Sequence, residues 1–357
     1  MSDSRKFSER SLVQLTLVRF REFARQPEAV FWTFVFPILL AVGLGLAFRS
    51  RAPEQSKVAV VKRESAATEQ VRAALAADSA LSVRLLDDSG AARELRTGKI
   101  AFVIVPNSSS LTGGAVDYVY DPQRDDSRNA RLIADRALQR GAGRTDPVKV
   151  VDRTVTEKGS RYIDFVIPGL LGMNLMGSGI WGIGFAIVDS RSKRLLKRFM
   201  ATPMSRAEYL LAFLLSRLAF LVIEVITLLG FGALVFGVPL RGSLAELGLI
   251  CLVSALSFGG LGLLVASRAK TVEGVSGLMN LVMLPMWIFS GVFFSASNFP
   301  DAVQPVIKAL PLTAVNDALR ANMLEGTSIS GLGLEMAIIT GWLIVSFVAA
   351  LKLFRWR

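Results

Sequence analysis

The chain has 357 residues, 52% of them hydrophobic, with a formal net charge of +12, one Cys and no His. Imidazole catalysis, imidazole proton relays and His-based metal ligation are therefore excluded. Cys251 has no partner for an intramolecular disulfide, and no Cys pair points to a metal.

The N-terminal 28 residues are charged, and residues 29–48 that follow are twenty consecutive uncharged positions. About 20 helical residues cross a hydrocarbon core roughly 30 Å thick, so this run predicts a first transmembrane helix. The "RSRAPEQ" beyond it offers no small-x-small cleavage site, which favours a retained anchor over a signal peptide.

Residues 49–160 then change character. Strand-like runs at 57–61, 81–86, 100–105 and 115–120 alternate with helix-like stretches at 66–77, 90–98 and 125–140. With 18 Lys/Arg against 15 Asp/Glu over 50–160, the segment reads as a solvated α/β domain large enough for a core of its own. It is either a structural or oligomerisation cap, or a module that binds a substrate or partner. Asp125 and Asp126 sit where carboxylates favour the first turn of a helix, a reading preferred over a catalytic pair.

Four further apolar runs and one interrupted run follow over 161–357. Residues 165–188 give 24 uncharged positions, 247–267 give 21 and 274–300 give 27. The run 209–237 contains Arg217 and Glu224, and 336–351 has only 16 uncharged residues, so it needs positions before Glu335 to span. The expected fold is an α-helical polytopic membrane protein with six transmembrane helices and an α/β extracytoplasmic domain between the first and second. Arg217 and Glu224 are two helical turns apart on one face. Arg217 is close enough to the span's end to snorkel, whereas Glu224 is deeper. They either pack against another helix or line a translocation path. Frequent Gly, as in "GLLGMNLMGSGIWGIG" (169–184), fits close helix packing or a mobile interface.

Between the second and third runs lies the basic loop 189–208. "SRSKRLLKRFMA" can form an amphipathic helix with Leu195, Leu196, Phe199 and Met200 on one side and Arg191, Arg194, Lys197 and Arg198 on the other. Pro203 ends it, and Ser205 with Glu208 makes a capping-box pattern for the next helix. Such a segment either lies on anionic lipid or docks into a partner.

Counting connections alternately, 17 Lys/Arg fall on the side of the termini, the 189–208 loop and the 267–273 loop. Only Arg241, Lys308 and Arg320 lie in the short loops 238–246 and 301–330 on the other side. Both termini are therefore expected in the cytoplasm, with 50–160 outside. This asymmetry accounts for the positive charge without nucleic acid. No G-x-x-x-x-G-K-[ST] phosphate loop occurs, so no ATP binding of that kind is expected and the chain does not read as an enzyme.

"GKIAFVIVP" (98–106), "LLKRFMATPMSRAEYLLAFLLSRL" (195–218) and "FSGVFFSASNFPDAVQPVIKALPLTAVNDALR" (289–320), in this order, resemble the ABC-2 type permease family, the membrane subunits of ABC exporters. The stretch before the leucines departs from the family's common acidic, Gly-Thr-bearing pattern, since here it reads "DSRSKRLLKRF". The resemblance implies a multi-pass protein of the cytoplasmic (inner) membrane that moves substrate outward using ATP. The ATP and Mg would be bound by a separate ATP-binding subunit, and a second permease subunit, identical or sibling, would complete the pathway. The coupling segment would comprise Arg194, Leu195, Leu196, Lys197, Arg198, Ala201, Thr202, Pro203, Ser205 and Arg206. Residues 297–330 would form an external re-entrant loop, its motif marked by Ser290, Gly291, Pro300, Pro311 and Arg320. The N-terminal residues would run along the cytoplasmic surface, which suits Phe7, Leu12, Leu15, Phe20 and Phe23 set among Arg10, Arg19, Arg21 and Arg25. A membrane sensor or scaffold with an external binding domain is the alternative. A secondary transporter would call for internal repeats, and a membrane-embedded enzyme for more intramembrane polar groups.

Overall fold

The computed structural model describes residues 17–18, 20–21, 23–48, 55–107, 115–145, 147–148, 159–192, 206–269 and 271–353; the side chains of 189–192 and 206–215 lie outside the description. The chain divides into two compact units, Ser50–Val155 and the remainder.

The inserted unit contains β1 (Ser56–Val61), α2 (Ala66–Ala76), β2 (Leu81–Leu86), α3 (Asp88–Arg96), β3 (Phe102–Pro106), β4 (Val116–Val119) and α4 (Asp125–Gly141), α1 being the helix that precedes it. The sheet order is β2-β1-β3-β4, parallel except for β4. β1 is central and carries helices on both faces, which is why "VAVV" is buried without alternation. Val58, Val60, Phe102 and Ile104 point to one face, where Val71 and Leu75 of α2 and Ala130 and Ala134 of α4 cover them. Ala59, Val61 and Val103 point to the other, against Ala91 and Leu95 of α3. That helix starts two residues earlier than its expected start at 90, because Asp87 caps it: its carboxylate accepts from the Gly90 amide at 3.2 Å.

Among the described residues, the second unit holds six helices long and apolar enough to cross a membrane. They are α1 (Pro27–Ala47), α5 (Tyr162–Ser192), α6 (Arg206–Phe236), α7 (Leu244–Arg268), α8 (Val272–Phe289) and α11 (Gly333–Leu353). Between α8 and α11 lie α9 (Gln304–Ala309) and α10 (Pro311–Arg320). α5 packs against α1, α6, α7, α8 and α10, and α7 against α11, so α5 and α7 form the centre.

One expectation changes here. The uncharged run 274–300 does not form one helix: α8 stops at Phe289, and Gly291 turns the chain with φ +71°. A left-handed residue ends a helix whatever the hydropathy beyond it. The last helix, as expected, takes in positions before Glu335: it begins at Gly333, Glu335 falls inside its first turn, and the element reaches 21 residues.

α1 contains a π turn at Phe31–Val35, directly before Pro37. Proline has no N–H for the carbonyl four residues back, that of Thr33. The side-chain amide of Asn174 on α5 donates to this carbonyl instead, at 3.0 Å. A break in one helix thereby becomes a link to another.

Candidate functional site

Two polar layers lie in the six-helix unit, and both are built on α5. The first joins α5 to α6, the helices on either side of the basic segment. They run antiparallel in contact: a Cβ added at Gly182 would lie 2.7 Å from Arg217 Cζ, and one at Gly232 would lie 3.1 Å from Ile167 Cγ2. Arg217 thus packs its guanidinium onto α5 where a side chain at 182 would otherwise stand. Glu224, two turns further along α6, is 2% exposed, with Arg217 and Ser178 as its polar neighbours. Among the described residues its Oε2 has no hydrogen-bond partner. A small cavity of about 40 Å³ adjoins this layer, lined by Ser178 and Ile183 of α5, Arg217 and Leu221 of α6, and Leu252 and Leu256 of α7. The paired placement read from the seven-residue spacing is present, with both residues turned into the bundle.

At that end of the helices, α5 runs to Ser192 and α6 starts at Arg206. The expected coupling residues from Arg194 to Ser205, and the capping box built on Ser205, fall outside the described residues. Arg206 is the first residue of α6, and its side chain is not described. Two of the N-terminal aromatics are described: Phe20 and Phe23 pack on Phe220 of α6, with ring centroids 4.4 and 4.5 Å away.

The second layer gathers three of the five residues singled out in 289–320. Arg320, at the end of α10, donates to the carbonyls of Gly291 and, at 3.3 Å, Phe165, and stacks over the Phe165 ring at 3.7 Å. One turn earlier, Asn316 donates to the Ser290 carbonyl at 2.8 Å. α10 is aimed this way because Pro311 occupies its first turn, where the missing N–H costs nothing. Pro300 is not part of the cluster; it precedes an exposed 3-10 turn at Asp301–Val303. Burial pushes the Arg320 guanidinium down to about 10, Asp317 opposing it, so the group stays charged at neutral pH.

Sequence reasoning missed several partners of these layers. Asp164 is fully buried, accepts from the amides of Gly159 and Arg161 and pairs with the Arg161 side chain at 2.8 Å, closing the start of α5. This pairing also raises the pKa of Arg161. Asn174 and Asn316 were not singled out either. A lone Asn within the apolar run 165–188 was a usable signal, since an amide at membrane depth needs a partner.

Glycines fix the spacing between the elements. A Cβ at Gly169 would meet the Val292 carbonyl at 2.5 Å, and one at Gly172 would meet Asn316 Oδ1 at 2.0 Å. At Gly179 and Gly184 it would strike Phe258 at 2.6 Å and Met279 at 2.3 Å. Close packing accounts for these positions.

Six long apolar helices joined by buried polar layers, with a four-stranded sheet inserted after the first, define a multi-pass membrane protein. Residues 28–352 match the family described as ABC-2 family transporter protein, and the chain belongs to that family. Among curated proteins it is similar to "ABC transporter G family member 20" of Dictyostelium discoideum, 27% identical over 214 residues, covering 58% of this chain and 29% of that protein. It is also similar to "Nodulation protein J" of Rhizobium leguminosarum bv. viciae, 30% identical over 105 residues, covering 29% and 40% of the two chains. A third relative is "Probable multidrug ABC transporter permease YbhS" of Escherichia coli (strain K12), 23% identical over 163 residues, covering 45% and 43%. The chain thus spans less than half the length of each of these relatives.

Proposed function

We propose that the chain is the transmembrane permease subunit of an ATP-binding cassette exporter, moving substrate outward with ATP hydrolysed by a separate nucleotide-binding subunit. The observation that carries this reading is the family match over residues 28–352. ATP and Mg would bind to the partner, since this chain lacks a phosphate loop. A second permease subunit would complete the pathway. The excess of Lys and Arg in alternate connections supports both termini in the cytoplasm, with 50–160 and 297–330 outside.

In this reading Arg194–Arg206 seats in the ATP-binding subunit. The segment is held between the end of α5 and the start of α6, so a push on it reaches both helices. Arg217 and Glu224 then either tie that helix pair together or face the path. Glu224→Gln separates the two roles: preserved thermal stability with lost transport assigns the path, and poor assembly assigns the tie.

The test is a pull-down of the tagged protein from native membranes in mild detergent, comparing wild type with Leu195→Asp and identifying co-purifying proteins by mass spectrometry. An ATP-binding subunit with wild type that is depleted in the variant is the expected result. No such subunit, under conditions that preserve a permease dimer, would replace this reading with a membrane sensor or scaffold.

A further inference from the structure

A groove of about 480 Å³ runs along α11 where α9 lies beside it. Leu334, Ile338, Gly341, Trp342 and Val345 line it, spaced so that they share one helical face. Leu334 and Val345 are 70% and 62% exposed, so the described residues do not fill the groove. Its floor is low at Gly341, where an added Cβ would meet nothing within 4 Å. One wall is fixed, because the Trp342 indole donates to the Ala309 carbonyl at 2.8 Å and ties α11 to the end of α9.

The groove is nearly all apolar but has a charged edge. Lys308 is exposed and lines it. Asp317 on α10 lies within electrostatic reach of Lys308 and of Glu335 in the first turn of α11. Its side chain is 53% exposed, and Arg320 stands 3.7 Å from it on the buried side. With Arg320 turned to the buried side, Lys308 is the cation at the groove, and Asp317 and Glu335 stand beyond its lining. This charge pattern, next to an apolar trough on a helix fit to cross a membrane, matches a molecule with one anionic group, one cationic group and a long hydrocarbon chain. From Leu334 to Val345 the helix rises about 16 Å, close to the roughly 15 Å half-thickness of the hydrocarbon core.

We propose that this groove is a binding site for one glycerophospholipid carrying a primary ammonium headgroup, as in phosphatidylethanolamine. One acyl chain lies along Ile338, Gly341 and Val345, the phosphate meets Lys308, and the ammonium donates to Asp317 and Glu335. A choline headgroup carries the same charges but has no N–H to donate. A glycerol headgroup would bring only negative charge to the two carboxylates.

Native mass spectrometry of the full-length protein, offered equal amounts of phosphatidylethanolamine, phosphatidylcholine and phosphatidylglycerol, tests the assignment. Wild type is expected to retain phosphatidylethanolamine in preference to the other two. Lys308→Gln should lower that retention about fivefold, the scale of one cation at a headgroup. Gly341→Leu should abolish it while leaving thermal unfolding unchanged, since the new side chain enters open space. Equal retention by wild type and Gly341→Leu would overturn the site. Equal or greater retention of phosphatidylglycerol would overturn the headgroup. A change in oligomer mass in Gly341→Leu without a change in lipid would assign the groove to a second copy of the chain and overturn the proposal.

Discussion

Arg320 holds the loop after α8 through geometry as much as through charge. Its guanidinium reaches the carbonyls of Gly291 and Phe165 and lies over the Phe165 ring. A Lys ammonium is a point donor without a planar face, so Arg320→Lys keeps the charge and loses the fork and the stacking. The expected cost is about 2–3 kcal/mol, read as a lower unfolding midpoint by circular dichroism in detergent. Gly172 poses the complementary case. Gly172→Ala sets a methyl group into Asn316 Oδ1 and should cost about 1–3 kcal/mol. Gly43→Ala, where nothing lies within 4 Å, should gain up to about 1 kcal/mol from helix propensity. Equal midpoints for the two alanine variants would rule out steric contact at 172. The Ser-Gly and Ala-Leu-Arg ends of the 289–320 motif were legible as a resemblance; that they touch was not, because the contact crosses 29 residues of chain.

At the scale of elements, the π turn of α1 and the side chain of Asn174 form one device. Asn174→Ala leaves the Thr33 carbonyl without its donor and should cost about 1–3 kcal/mol. In a Pro37→Ala background residue 37 regains an N–H for that carbonyl, so the same substitution should cost clearly less. A double-mutant cycle on unfolding free energies measures the difference, and strictly additive costs would mean that the two sites are independent. The inserted sheet was largely legible from the alternation of strand-like and helix-like runs, because each run differs from its neighbour in period. The end of α8 was not. Residues 290–300 are as uncharged as those before them, and only the backbone sign at Gly291 distinguishes a turn from a continuing helix. The extension of the short run 336–351 past Glu335 was legible, because 16 residues are too few to span and a carboxylate is favourable in a first turn.

For the six-helix unit as a whole, burial is uneven. α5 and α7 are buried along about half of their apolar windows, whereas α1 and α11 are buried along less than a fifth. Hydrogen–deuterium exchange on the full chain should therefore label α1 and α11 before α5 and α7. Uniform exchange across all four would contradict a centre built on α5 and α7. Six long apolar helices were legible from composition alone, since length and charge decide that question. Which of them form the centre was not, because apolar residues face lipid as readily as they face one another.

The glycines of α5 also fix the phase of the helix against its neighbours. Substituting one of them alters a single contact, but inserting one residue near Leu175 rotates everything beyond it by about 100° relative to what precedes it. Gly169 and Gly172 would keep their places against Val292 and Asn316, while Gly179, Gly182 and Gly184 would all turn away from Phe258, Arg217 and Met279 together. The helix acts as a key cut on several sides, which tolerates wear at one tooth and none in its phase. Length variation among relatives should therefore collect in the connections and spare this helix.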